Sequence, residues 1–137
     1  MDRRLRFIGF DFERLTNGRC RARVTLLWDP SSEYVGTHEA LGSEAGELRC
    51  AAQATLNAIQ EAVKGRGELI CELLGVKSVR AFDTTVLIVS LVAQHEGSSQ
   101  RLVGSFLAED RPERGAAVAV LNATNRLMGN IFLRDDR

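Results

Sequence analysis

At 137 residues the chain is long enough for one domain with its own hydrophobic core, without disulfide or metal staples. Hydrophobic residues make up 45% and charged residues 26%, the composition of an ordinary soluble globular protein. Eighteen basic side chains offset eighteen acidic ones, so no overall field favours nucleic acid or an anionic membrane. The cysteines, Cys20, Cys50 and Cys71, are odd in number and form no C-x-x-C pair, which argues against a disulfide framework and a zinc site. No metal and no cofactor is expected. No apolar run approaches the roughly 20 residues of a membrane span, and Met1-Asp-Arg-Arg-Leu-Arg-Phe7 does not read as a signal peptide. The expected location is cytoplasmic.

In chain order, Phe7 to Glu13 reads as a strand in which Ile8, Phe10 and Phe12 alternate with Phe7, Gly9, Asp11 and Glu13. Thr16-Asn17-Gly18 predicts a tight hairpin. The chain returns with Cys20, Ala22, Val24, Leu26 and Trp28 on one face and Arg19, Arg21, Arg23, Thr25 and Leu27 on the other. After the turn Asp29-Pro30-Ser31-Ser32, a third strand covers Tyr34 to Leu41. A helix follows from Ser43 to about Lys64, with Leu48, Ala52, Thr55, Leu56, Ile59 and Val63 as its apolar stripe and Gly65-Arg66-Gly67 ending it. Leu69 to Val79, Thr85 to Ala93 and Arg101 to Ala108 are three more strands. Asp110-Arg-Pro-Glu113 predicts a capping box with Asp110 as N-cap, and the second helix is expected to stop at Gly129.

Ala54-Thr-Leu-Asn-Ala-Ile59 and Ala119-Val-Leu-Asn-Ala-Thr124 are near-copies at an offset of 65 residues (121 − 56). Val24-Thr25-Leu26 falls on Val89-Ser90-Leu91 at that offset, Gly9 on Gly75 at 66, and Val35-Gly36-Thr37 on Val103-Gly104-Ser105 at 68. The prediction is a single domain over 1–137, an α+β fold of two tandem βββα repeats (about 5–66 and 69–129), its sheets covered by two helices on one face.

This layout resembles the C-terminal regulatory domain of 2-isopropylmalate synthase and citramalate synthase, as a stand-alone chain. The residues carrying the likeness are Ala119-Val-Leu-Asn-Ala-Thr-Asn-Arg-Leu127, Ala22-Arg-Val-Thr-Leu26 and Leu102-Val-Gly104. The resemblance implies two βββα units, a homodimer, and an end-product amino acid bound near the dimer interface. Gly42-Ser-Glu-Ala-Gly46 lacks the proline of the family's first loop, and Glu109-Asp-Arg-Pro112 differs from its second. Fold and pairing are therefore expected to carry over, and leucine binding is not.

The strand Thr85 to Ala93 is apolar on both faces and needs cover on both. Two helices can cover only one face of a six-stranded sheet. Either a second copy packs on the other face or the sheet folds on itself as two half-sheets. A symmetric dimer is the expectation, with Leu87, Val89 and Leu91 as its interface.

The helix entries Gly42, Ser43, Glu44 and Glu109, Asp110, Arg111 are candidate ligand-binding positions through free backbone N–H groups. Plain capping by Ser43 and Asp110 is the competing reading, and the acidic side chains would repel an anion there. His38 aligns with Phe106 at the 68-residue offset, so it is either a ligand contact or a satisfied strand histidine. His95 reads as solvated. Asn57 and Asn122, poor helix formers, would bond to a strand edge, bridge subunits or simply face solvent. Arg14, Arg19, Arg21 and Arg23 would pair with Asp11 and Glu13 rather than bind nucleic acid.

No G-x-S-x-G, P-loop or H-E-x-x-H occurs, and no catalytic residue is nominated, so an enzyme is not expected. The expected function is a non-enzymatic, regulatory-type domain that homodimerises and binds a small molecule, an amino or keto acid for instance, or a partner protein. A ligand-free assembly module is the alternative, with an RNA-binding scaffold behind it.

Overall fold

The computed structural model describes residues 5–135. In chain order they form β1 (Arg6–Arg14), β2 (Arg19–Asp29), β3 (Ser32–Leu41), α1 (Glu44–Val63), β4 (Leu69–Ala81), β5 (Thr84–His95), β6 (Ser98–Ala108) and α2 (Pro112–Asp135). The fold is α+β, two consecutive βββα units, with separate antiparallel sheets ordered β1-β2-β3 and β4-β5-β6. The sheets are joined through the helices. Helix α1 lies on β2 and β3 and also against β4, while α2 lies on β5 and β6, touches β1 and packs against α1.

The two units repeat in detail. Both first hairpins carry an irregularity at the same place, between Phe7 and Gly9 and between Leu73 and Gly75. Val24 faces Gly36 in one sheet as Val89 faces Gly104 in the other. Those glycines are obligatory because each helix backbone presses on its third strand. A Cβ on Gly36 would lie 2.2 Å from the Ala54 carbonyl oxygen and the Ala58 nitrogen, and one on Gly104 2.2 Å from the Ala119 oxygen and 2.6 Å from the Ala123 nitrogen. The echoing asparagines serve that contact. Asn57 Nδ2 donates to the Thr37 carbonyl at 2.7 Å, and Asn122 Nδ2 to the Ser105 carbonyl at 2.9 Å. Each helix thus occupies a carbonyl of its third strand, which is an outer strand of its sheet.

Local chemistry sets the element ends. Ser43 caps α1, its hydroxyl accepting from the Gly46 amide at 3.0 Å. Gly65 and Gly67, at φ +79° and +117°, turn the chain out of α1. Gln60 ties α1 to the second sheet: its amide donates to the Leu69 carbonyl at 2.9 Å and its oxygen accepts from the Cys71 amide at 2.8 Å.

Three expectations change, and one open alternative, the split into two half-sheets, is settled. The irregularity at Ile8 breaks strict alternation in β1, so Phe7, Phe10 and Phe12 all pack on the core while Ile8 is exposed. The six strands divide into two sheets, yet this division leaves the outer face of β4-β5-β6 uncovered. The first helical bond of α2 runs from the Gly115 amide to the Arg111 carbonyl. That puts Arg111 rather than Asp110 at the cap position, with Pro112 in the first helical place its fixed φ suits. Finally, α2 continues past Gly129 to Asp135. Met128 and Ile131 are buried, and burying a side chain such as Ile131 is worth about 1.5–3 kcal/mol, more than the roughly 1 kcal/mol a helical glycine costs.

Candidate functional site

Glu44 and Glu47 at the start of α1 and Glu109, Asp110 and Glu113 at the start of α2 line one cleft of about 180 Å³. Ser78 of β4 and Thr85 of β5 line it as well. Two helix N-termini therefore converge, each offering unpaired backbone N–H groups and a partial positive charge. The carboxylates offset that charge. Glu47 is held by a bidentate contact from Arg14, at 2.7 and 3.0 Å, and Glu113 lies 3.5 Å from Arg111 Nε. Glu44, Glu109 and Asp110 enter no ion pair among the described residues. The cleft is accordingly acidic and suits an ammonium or amine better than a bare anion.

Of the residues nominated from sequence, the fold brings Glu44, Glu109 and Asp110 together. Gly42 and Ser43 adjoin the cleft without lining it: the Gly42 amide donates to the Gly18 carbonyl at 2.9 Å, and Ser43 is occupied as a cap. Arg111 is drawn to the first sheet, with its guanidinium 5.4 Å from the Phe10 ring centre. Arg114 stands likewise 5.1 Å from the Phe7 ring centre, so two arginines of α2 reach the aromatic row of β1.

His38 is elsewhere. It pairs with Ala22 on the helix-facing side of the first sheet, and its carbonyl accepts from the Cys50 thiol at 3.2 Å. Burial, helped by the charges of Arg19 and Arg49, pushes its pKa below the ordinary histidine value. His95 ends β5 with its side chain 17% exposed, 4.0 Å from Glu96, and is not the solvated turn residue expected. The thiols have the character of packing groups: burial raises Cys50 to about 12 and Cys71 to about 11, far from a reactive thiolate at neutral pH. No group of three or more His, Cys, Asp or Glu residues among the described ones is arranged to hold a metal ion. No described helix is long and apolar enough to cross a membrane.

The expected interface of Leu87, Val89 and Leu91 is overturned. All three are fully buried within the single chain, on the face of β5 that lies under the helices. The more exposed surface of this sheet is the opposite face. Its middle strand presents Val86, Ile88, Ser90 and Val92, flanked by the exposed Ile70, Val103 and Leu107. At the end of that sheet Phe82 is fully exposed, in a two-residue turn where both Phe82 and Asp83 have positive φ, 52° and 60°. Type I′ turns of this kind favour Asn-Gly, so a bare aromatic there is costly. The alternation of Arg101, Val103, Ser105 and Leu107 was the sequence signal for the exposed row. Nothing in sequence signalled Glu47, Ser78 and Thr85 as cleft residues, since only the crossing of the units brings them together.

The first sheet's arginines are mostly paired. Arg21 Nη1 contacts Glu13 at 3.0 Å and Arg21 Nη2 contacts Glu39 at 3.4 Å, while Arg19 Nε contacts Glu39 at 3.0 Å. Arg23 stands opposite Asp11 in register. No protein-family model matches this chain, and no curated protein matches it.

Proposed function

We propose that this chain is a non-enzymatic, cytoplasmic domain of regulatory type that works as a homodimer, akin in plan to the regulatory domain of 2-isopropylmalate synthase. The observation that carries the reading is the bare apolar outer face of the second sheet, with Ile70 62%, Val103 64% and Leu107 54% exposed. Several large apolar side chains left exposed on one open sheet face favour an interaction site there. The duplicated βββα plan supports the kinship. Leucine recognition is not carried over, because the loops entering both helices differ from the family's.

The effector belongs in the cleft between the helix N-termini. The carboxylates of Glu44, Glu109 and Asp110, unpaired among the described residues, favour an amino compound over a keto acid, which would bring only negative charge. The effector would act by binding one arrangement of the two subunits better than another. Sedimentation velocity at micromolar concentration should give a dimer, and a monomer sinks the reading. A thermal-shift screen should show amino acids or amines raising Tm while the matching keto acids do not. A dimer unmoved by any of them leaves the alternative, an assembly module without ligand.

A further inference from the structure

The outer face of β4-β5-β6 is built in rows, one residue from each strand. From the Phe82 end they read Val79–Val86–Leu107, Lys77–Ile88–Ser105, Gly75–Ser90–Val103, Glu72–Val92–Arg101 and Ile70–Gln94–Ser99. We propose that a second copy of this chain docks face to face on these rows, with the two-fold axis running along β5. This rests on the dimer reading above and adds to it the surface and the register.

A face can meet itself about two principal in-plane axes. An axis along the strands keeps every row over itself and exchanges β4 with β6. Val79 then meets the partner's Leu107, and Val86 meets its own counterpart. Val103 stands over the partner's Gly75, where nothing lies within 4 Å of a Cβ position and the space is open. Arg101 stands over the partner's Glu72. Within one chain those two charges flank Val92 on either side, two strand spacings or about 10 Å apart. Neither has an ion-pair partner among the described residues.

An axis across the strands through Ser90 reverses the rows. Val86 and Leu107 would then bury against Gln94 and Ser99, stripping water from polar groups for no return. Arg101 would face Ser105. Only Glu72 would find an opposite charge, on Lys77. Glu72 finds an opposite charge under either axis, Arg101 or Lys77, so it is the apolar pattern that selects the axis along the strands. The area is adequate: three strands of this length cover about 14 by 40 Å, burying roughly 1,100 Å² over both copies against the roughly 1,000 Å² a specific contact needs.

The test is sedimentation velocity of the full chain, with circular dichroism confirming that each variant folds, since Glu72, Lys77 and Arg101 are all exposed. Glu72→Arg places like charges together twice across the two-fold and should weaken dimerisation about 100-fold. Adding Arg101→Glu restores the pair in reverse and should bring affinity back to within several-fold of the wild type, whereas adding Lys77→Glu should not. Rescue by Lys77→Glu instead of Arg101→Glu overturns the proposed axis. A dimer indifferent to all three substitutions overturns the surface and leaves the dimer reading standing. A monomeric wild type removes both.

Discussion

The outer faces of the two sheets occupy equivalent places in the repeat and have opposite chemistry. In the first sheet one row reads Glu13–Arg21–Glu39, an exposed set of ion pairs. The matching row of the second reads Val79–Val86–Leu107. The hairpin tips diverge in the same sense, Asn17-Gly18 in one and Phe82-Asp83 in the other. On the inner faces the units stay alike, down to the glycine under each helix and the asparagine beside it. The lesson is that packing inside one chain constrained both copies, while the outward faces were free to part, one toward charge and one toward apolar side chains.

The largest effects should come from the shared inner contact. Gly36→Ala and Gly104→Ala each drive a methyl into helix backbone and should each cost about 3 kcal/mol or more in urea unfolding. A mild loss in one and a severe loss in the other would break the equivalence of the units. Next come the outer faces. Writing the first sheet's row onto the second, as Val79→Glu, Val86→Arg and Leu107→Glu together, should keep the fold and weaken self-association about 100-fold or more by sedimentation. The reverse graft, Glu13→Val, Arg21→Val and Glu39→Leu, should add a second adhesive face and produce species larger than a dimer.

Smaller, and equal in the two units, is the loss of the helix-to-strand hydrogen bonds. Asn57→Ala and Asn122→Ala should each cost about 1 kcal/mol, and should add in the double variant. The smallest effect concerns His38, where the other unit has Phe106. Its folded pKa lies below the unfolded value near 6.5, so unfolding takes up a proton. This contribution is complete above about pH 6.5 and declines as pH falls through it. His38→Phe should flatten the urea midpoint between about pH 7.5 and 5.5, and an unchanged slope would show that the histidine is already free to charge in the fold.

Much of the inner architecture was legible in the amino-acid order. The repeated Leu-Asn-Ala phrases located two helices and their common asparagines because a helix must show its stripe every three to four residues. The hairpin at Asn17-Gly18 and the Ser43 cap were legible for equally local reasons. The cleft was half legible: the free backbone N–H groups of the two helix entries nominated Glu44, Glu109 and Asp110, but their meeting depends on how α1 and α2 cross, which no local pattern encodes.

By itself the sequence determined the elements, the duplication and the apolar character of both sides of β5. Which side of that strand faces inward was decided only by the tertiary structure. Leu87, Val89 and Leu91 face one way and Val86, Ile88 and Val92 the other, both sets apolar, so alternation within the strand left only Ser90 to tell them apart. Helix α2, seated against one side, buried the first set and left the second to the outside. The irregularities in β1 and β4 and the split into two sheets were decided the same way, by side chains far apart in the chain competing for one interior.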